Sequence, residues 1–225
     1  MARLSRTASR EDGAARFVPE KHTLPILREA VQKCCGCELY KNATQAVFGE
    51  IVTASSRGQS KAAIMMIGEQ PGDREDTEGR PFVGPSGKLL DRCMQEANID
   101  RRSVYLTNAV KHFKWEPRGK RRIHKKPGLK EIRACRPWLD AELDAVQPSL
   151  IICLGAVAAQ SLLGAGFKIT KSRGVIQKIE DLPPIIATVH PSSILRAITE
   201  EDRERETTLF ISDLKQAAKS LAMLE

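Results

Sequence analysis

The chain has 225 residues, of which 41% are hydrophobic and 28% charged, with a formal net charge of +8. That length and apolar content suffice to bury one sizeable core. No run approaches the roughly 18 apolar residues that cross a bilayer, and the first twenty residues lack the apolar block of a secretory signal, so a membrane protein and a secreted one are excluded and a cytoplasmic location is expected. Residues 1–19, rich in Arg, Ser and Ala, predict a disordered basic tail, with an organelle presequence as the alternative. Residues 20–225 are expected to form a single domain. Short apolar runs closed by Gly, Asn or His predict buried strands over 62–68, 104–110, 149–155 and 185–190. Apolar residues at helical spacing predict helices over 86–97, 129–146 and 156–163, and a charged helix over 202–221. This alternation predicts an α/β fold, a three-layer α/β/α sandwich around a mostly parallel sheet, with ligands beyond the carboxyl ends of the strands.

The polar loops fall at those strand ends. After the first strand, Gly68-Glu69-Gln70-Pro71-Gly72-Asp73 runs on to Arg80-Pro81-Phe82-Val83-Gly84. Glu69 offers an acid or base, Gln70 an amide and Phe82 a stacking face for one small planar ligand. A phosphate-binding turn is the plainer reading, but the P-loop pattern is absent. Asn108 closes the second strand with an amide that donates and accepts at once, which fits the edge of uracil. The last strand ends in His190-Pro191-Ser192-Ser193-Ile194-Leu195-Arg196; Pro191 can open a short helix, and His190 can donate to a developing anion.

Between these loops lies Gly119-Lys120-Arg121-Arg122-Ile123-His124, a cationic stretch ending in a potential nucleophile. It belongs to the segment from Lys111 to Arg136, where eleven Lys or Arg residues face only Glu116 and Glu131. Such a patch attracts a polyanion and releases its counterions, with a salt slope near 0.7 per neutralised phosphate on a single strand. A solubilising face usually mixes signs, so the pattern points to nucleic acid. Of six cysteines, Cys34 and Cys37 form a C-x-x-C pair, Cys135 lies in the third helix and Cys153 in the following strand. Four thiolates can ligate an iron-sulfur cluster or zinc, and buried thiols are an equal alternative; Cys93 on an apolar helix face reads as core.

Taken together, Gly68-Glu69-Gln70-Pro71-Gly72, Arg80 to Gly84, Asn108-Ala109-Val110-Lys111, Ala134-Cys135-Arg136-Pro137-Trp138, Cys153-Leu154-Gly155 and His190-Pro191-Ser192 resemble the iron-sulfur uracil-DNA glycosylases of family 4, over roughly residues 31–221. Gln70 and the Lys120 to His124 stretch more closely resemble the UdgX subgroup. The resemblance implies a DNA repair enzyme with the uracil-DNA glycosylase fold that excises uracil, single strands included, and stays bonded through His124 to sugar C1′. It implies Glu69, His124 and His190 as catalytic residues, Gln70, Phe82, Asn108 and Arg196 as substrate contacts, and Lys120, Arg121, Arg122 and Ser192 on the DNA. Cys34, Cys37, Cys135 and Cys153 would hold a structural [4Fe-4S] cluster. Uracil-containing DNA and free uracil are the expected partners, with the protein a monomer. The cations around His124 favour its neutral ring and Glu69 pulls the other way, which leaves its protonation state open in the sequence. A conventional multiple-turnover glycosylase and a non-catalytic nucleic-acid-binding regulator are the rival readings.

Overall fold

The computed structural model describes residues 13–51 and 62–223. The first twelve residues of the expected tail lie outside the described residues, and the rest of it is not a tail. Ala15–Phe17 forms a helical turn, and buried Ala14 donates its N–H to the Ala134 carbonyl at 2.8 Å. Gly13 permits the contact: its φ is +77°, and a Cβ there would stand 2.9 Å from Ala134 Cα.

Helix α1 (Leu24–Val31) precedes the sheet. Strand β1 (Glu50–Ile51) and strand β2 (Ile64–Gly68) lead to helices α2 (Asp73–Glu78) and α3 (Pro85–Glu96). Strand β3 (Val104–Asn108) is followed by a hairpin of β4 (Trp115–Arg118) and β5 (Arg121–His124), then by the long helix α4 (Leu129–Val146). Strand β6 (Leu150–Leu154), helices α5 (Ala156–Leu163) and α6 (Ile169–Ser172), and strand β7 (Ile176–Gln177) come next. Strand β8 (Ile185–Thr188), helix α7 (Pro191–Leu195) and helix α8 (Glu200–Ala222) complete the order.

The main sheet has six strands in the order β1-β3-β2-β6-β8-β7. Its four inner strands are parallel, and the two-residue edge strands pair antiparallel. Side chains alternate across it as the pleat requires. Ile64 and Met66 pack with Leu90 and Met94 of α3 and Phe210 and Leu214 of α8. Met65 and Ile67 pack on the other face with Leu139 of α4 and Ala158 and Leu162 of α5. Trp138 of α4 joins Leu27 and Val31 of α1 in a third cluster. Helices on both faces leave the carboxyl edge of the inner strands as the open end, which is where ligands bind in such sheets. The hairpin corrects one expectation: residues 121–124 are a strand rather than part of a loop, with Trp115 opposite His124 and Arg118 opposite Arg121.

Candidate active site

Three strands deliver the site. Gly68 at the end of β2 lies in register with Asn108 at the end of β3, and β8 leads within two residues to His190. The loops that follow surround a cavity of about 170 Å³ lined by Gln70, Glu75, Phe82, Asn108, His124 and His190, with Ser192 and Arg196 also on its wall. That is below the roughly 300 Å³ at which drug-sized pockets begin, and it suits one small planar ligand. A larger depression of about 430 Å³ beside α1, lined by Arg16, Phe17 and Ile26 among others, includes no histidine and no strand-end loop. The smaller cavity is the candidate site.

Backbone constraints explain the glycine that closes β2. A Cβ at Gly68 would lie 2.3 Å from Asn108 Oδ1 and 2.7 Å from Phe82 Cζ, so only glycine lets both side chains reach the cavity. Phe82 itself has a φ of +57°. A bulky residue in that left-handed region costs about 1–3 kcal/mol and persists only where its surroundings impose it. Its carbonyl is seated against Gly87, where a Cβ would come within 1.6 Å of it.

His190 caps α7 with its ring. Ser192 donates its backbone N–H to His190 Nδ1 at 3.1 Å, and the Ser192 hydroxyl lies 2.8 Å from the same nitrogen. An amide N–H can only donate, so Nδ1 is the acceptor and the proton of the neutral ring resides on Nε2. Burial first, then Arg196 and His124, push the His190 pKa down to about 4. Ser192, expected on DNA, therefore orients this histidine. The rings of Phe82 and His190 lie 6.0 Å apart, inclined by 25°.

The hairpin carries His124 to the mouth of the cavity and is fastened at both ends. At its root, Lys125 donates its N–H to the Lys114 carbonyl at 2.9 Å. Gln70 reads the same two residues: its Nε2 donates to Lys114 O at 3.1 Å and Lys125 O at 3.0 Å, and its Oε1 accepts the Lys114 N–H at 3.1 Å. Gln70, expected to hold the base, lies on the cavity wall and uses its side-chain amide to anchor the hairpin. Arg122, expected on DNA, is likewise engaged within the protein. It pairs with Asp73 at 2.5 Å and Asp76 at 2.6 Å, and its guanidinium lies over the rings of Phe113 and Trp115. A guanidinium held by two carboxylates and two aromatic faces has little left for a phosphate.

His124 Nε2 lies 3.7 Å from Glu69 Oε1, with the His124 side chain half-exposed and the Glu69 side chain more covered. Burial lowers the His124 pKa, with Arg196 adding to the effect, so the ring is neutral near pH 7. The sequence left the ring's charge open between the neighbouring cations and Glu69; desolvation and then Arg196 are the causes that lower the pKa. Burial raises the Glu69 pKa, while Lys126 and Arg196 oppose it. A neutral imidazole thus stands beside a partly desolvated carboxylate at the rim of a base-sized cavity.

The cationic segment is less uniform than its sequence. Lys111 is buried against Glu142, Lys114 pairs with Glu131, Lys125 with Glu116 and Arg136 with Asp140. Among the described residues, Arg118, Lys120, Arg121, Lys126, Lys130 and Arg133 have no such carboxylate partner and are exposed. The unpaired cations of this segment thus divide between the hairpin tip (Arg118, Lys120, Arg121) and the stretch running into α4 (Lys126, Lys130, Arg133). Sequence reasoning missed the Lys111–Glu142 pair. Lys111 Nζ donates to Glu142, to Thr107 Oγ1 at 2.7 Å and to the Asn108 carbonyl at 2.7 Å. Glu142 also accepts from Gly49 N–H, Tyr105 OH and Thr107 OH at 2.9–3.1 Å. Glu142 stands on the buried stripe of α4 with Trp138, Leu139 and Val146, and a carboxylate on an apolar stripe is the signal that could have found it.

Three of the four expected metal ligands come together. Cys34, Cys37 and Cys135 belong to one cluster, and the pKa of Cys135 is pushed up to about 12 chiefly by burial, with Cys37 and Cys34 contributing. Two N–H groups aim at their sulfurs: Trp138 Nε1–H at Cys34, 3.2 Å, and Lys111 N–H at Cys135, 3.3 Å. Such donors suit thiolates bound to a metal or cluster. Cys153 is a correction. It lies in the other cluster with Met65, Ile67 and Ala158, and burial alone raises its pKa, with no other thiol contributing. Its place on β6 points it beside Ile151 into the packing of α4 and α5. Among the described residues no three His, Cys, Asp or Glu side chains form a site for a single metal ion, so the three grouped cysteines fit only a larger group such as a cluster. A four-cysteine set that includes Cys153 does not fit.

Residues 55–215 match the uracil DNA glycosylase superfamily. A Type-4 uracil-DNA glycosylase of Sulfurisphaera tokodaii is 37% identical over 84% of this chain and 86% of its own length. One of Thermotoga maritima is 36% identical over 86% and 92%. A Type-5 uracil-DNA glycosylase of Thermus thermophilus is 32% identical over 51% of this chain and 55% of its own length. With a mostly parallel sheet, helices on both faces and the residues that face the strand-end cavity, these matches establish that the chain belongs to the uracil DNA glycosylase superfamily.

Proposed function

We propose that this protein excises uracil from DNA and is captured on the product through His124. The observation that carries the reading is the neutral His124 ring, half-exposed at the mouth of a base-sized cavity and 3.7 Å from Glu69. The target nucleotide leaves the stack, or comes from a single strand, and its base enters the cavity. Phe82 stacks on it, the Asn108 amide pairs with its edge, and Nε2–H of His190 donates to the oxygen on which negative charge grows. The bond between C1′ and uracil N1 breaks with its electron pair passing to the base, leaving a cationic sugar that the Glu69 carboxylate stabilises. A ring nitrogen of His124 then gives its lone pair to C1′. The imidazolium so formed releases the proton on its other nitrogen, and a neutral alkylated imidazole remains. Arg118, Lys120, Arg121 and Lys126 supply the phosphate contacts, with Arg196 at the cavity wall.

Cys34, Cys37 and Cys135 would supply thiolate ligands to an iron-sulfur cluster, which would tie α4 to the segment after α1. No step of the reaction passes through it.

The test uses a single-stranded oligonucleotide with one uracil and its thymine counterpart, resolved on a denaturing gel. A slow band that survives heat and detergent, formed only with uracil, is expected. His124→Ser should abolish that band and release an abasic product that alkali cleaves. An adduct from His124→Ser would remove His124 as the nucleophile. Free abasic DNA from the unaltered protein would mean conventional turnover.

A further inference from the structure

Glu75 lies in the first turn of α2, is buried, and faces the cavity. One of its oxygens accepts the Gly72 N–H at 3.1 Å, an ordinary capping-box contact three residues back. The other reaches nine residues forward and accepts the Gly84 N–H at 2.9 Å. Both partners are glycines for a steric reason: a Cβ at Gly72 would lie 2.6 Å from one carboxylate oxygen, and one at Gly84 would lie 3.0 Å from the other. The two backbones thus close on a single carboxylate from either side. Gly72 ends the turn that begins with Glu69 and Gln70. Gly84 ends the turn that contains Phe82, with its left-handed backbone.

We propose that Glu75 is a positioning residue whose carboxylate fixes the stacking face, Phe82, relative to the carboxylate of Glu69 and the hairpin anchor Gln70. Nothing else on α2 spans the two turns: Asp76 faces Thr44 and Arg122 instead. A charged acceptor between two amide donors makes a stronger and more directional tie than a neutral one. The glycosidic bond is cleaved with the base clamped between groups carried by these two turns, so loosening the tie affects base capture and bond cleavage together. This inference rests on the glycosylase reading above.

The experiment measures uracil excision on a single-stranded oligonucleotide, and binding of free uracil, for the full chain with Glu75→Ala and Glu75→Gln. Glu75→Ala should lower kcat/KM by ten- to a hundredfold and weaken free uracil by a similar factor, while affinity for the thymine oligonucleotide stays within twofold. Glu75→Gln keeps the shape and one acceptor and should fall between. Formate is small enough to take the vacated place between the two N–H groups, and it should restore the Glu75→Ala rate at least threefold in a saturable manner. A Glu75→Ala protein with unchanged kcat/KM and uracil affinity would overturn the inference. So would a loss that formate does not relieve and that Glu75→Gln shares in full. If the unaltered protein neither excises nor binds uracil, the glycosylase reading itself has failed, and that outcome is read before any variant is made.

Discussion

The attachment of the hairpin to Gln70 makes a sharp prediction. Gln70→Ala removes three hydrogen bonds, two donated to Lys114 O and Lys125 O and one accepted from Lys114 N–H. A typical bond contributes about 1 kcal/mol net, and water reaches this half-covered root to replace part of the loss, leaving a deficit of about 2 kcal/mol. At about 1.4 kcal/mol per decade, the docked hairpin becomes roughly 30-fold less favoured relative to displaced positions. Arg122 still ties the other end to Asp73 and Asp76, so the hairpin is loosened rather than lost. On the proposed reading, cleavage depends on groups outside the hairpin, whereas capture needs His124 within bonding reach of C1′. The assay is a single-turnover reaction on a uracil oligonucleotide, with adduct and alkali-labile product counted on one gel. Gln70→Ala should shift the ratio of adduct to abasic product by tenfold or more toward the abasic product, with the rate of uracil loss changed far less. A ratio within twofold of the unaltered protein would refute the anchoring role.

Three further outcomes follow from the same geometry. Cys153→Ala should keep the iron content and visible absorbance of the purified protein, and Cys135→Ala should lose both. Lys111→Met alone leaves Glu142 buried without its cation and should cost about 3–5 kcal/mol in urea unfolding, whereas Lys111→Met with Glu142→Leu should be more stable than either single variant; strict additivity of the two losses would refute the coupling. His190 is held near pKa 4, against about 6.5 when unfolded, so between those values the unfolded chain binds the extra proton and stability falls as pH drops. The urea midpoint should therefore decline from pH 7 to pH 5 less steeply in His190→Asn; identical slopes would show that His190 is not the group responsible.

The parallel strands were legible because each is a continuous apolar run, and each was found within two residues of its place. The loops at their ends were legible for the same reason, since Gly68 and Asn108 close their strands and His190 follows the last one by two residues. The hairpin was not. Trp115-Glu116-Pro117-Arg118 and Arg121-Arg122-Ile123-His124 lack an alternating apolar face, and the ribbon is held by Gln70 and Arg122 rather than by burial. Charge misled in the same region, because a run of like charges says nothing of carboxylates brought from elsewhere, as Asp73 and Asp76 are to Arg122. Cys153 was misplaced by resemblance, although strand alternation alone puts it with Ile151 on the face that α4 and α5 cover.

The hairpin root is already closed by the bond between Lys125 N–H and Lys114 O at 2.9 Å. Residues 115–124 therefore form a detachable cassette whose ends meet, and a short turn could replace it without disturbing any strand of the main sheet. On the proposed reading, base removal belongs to the sheet's carboxyl edge, whereas retention of the product belongs to the ten residues of the ribbon. Insertion or deletion of that one segment would then switch between capture and release of the product while leaving the strand-end cavity in place.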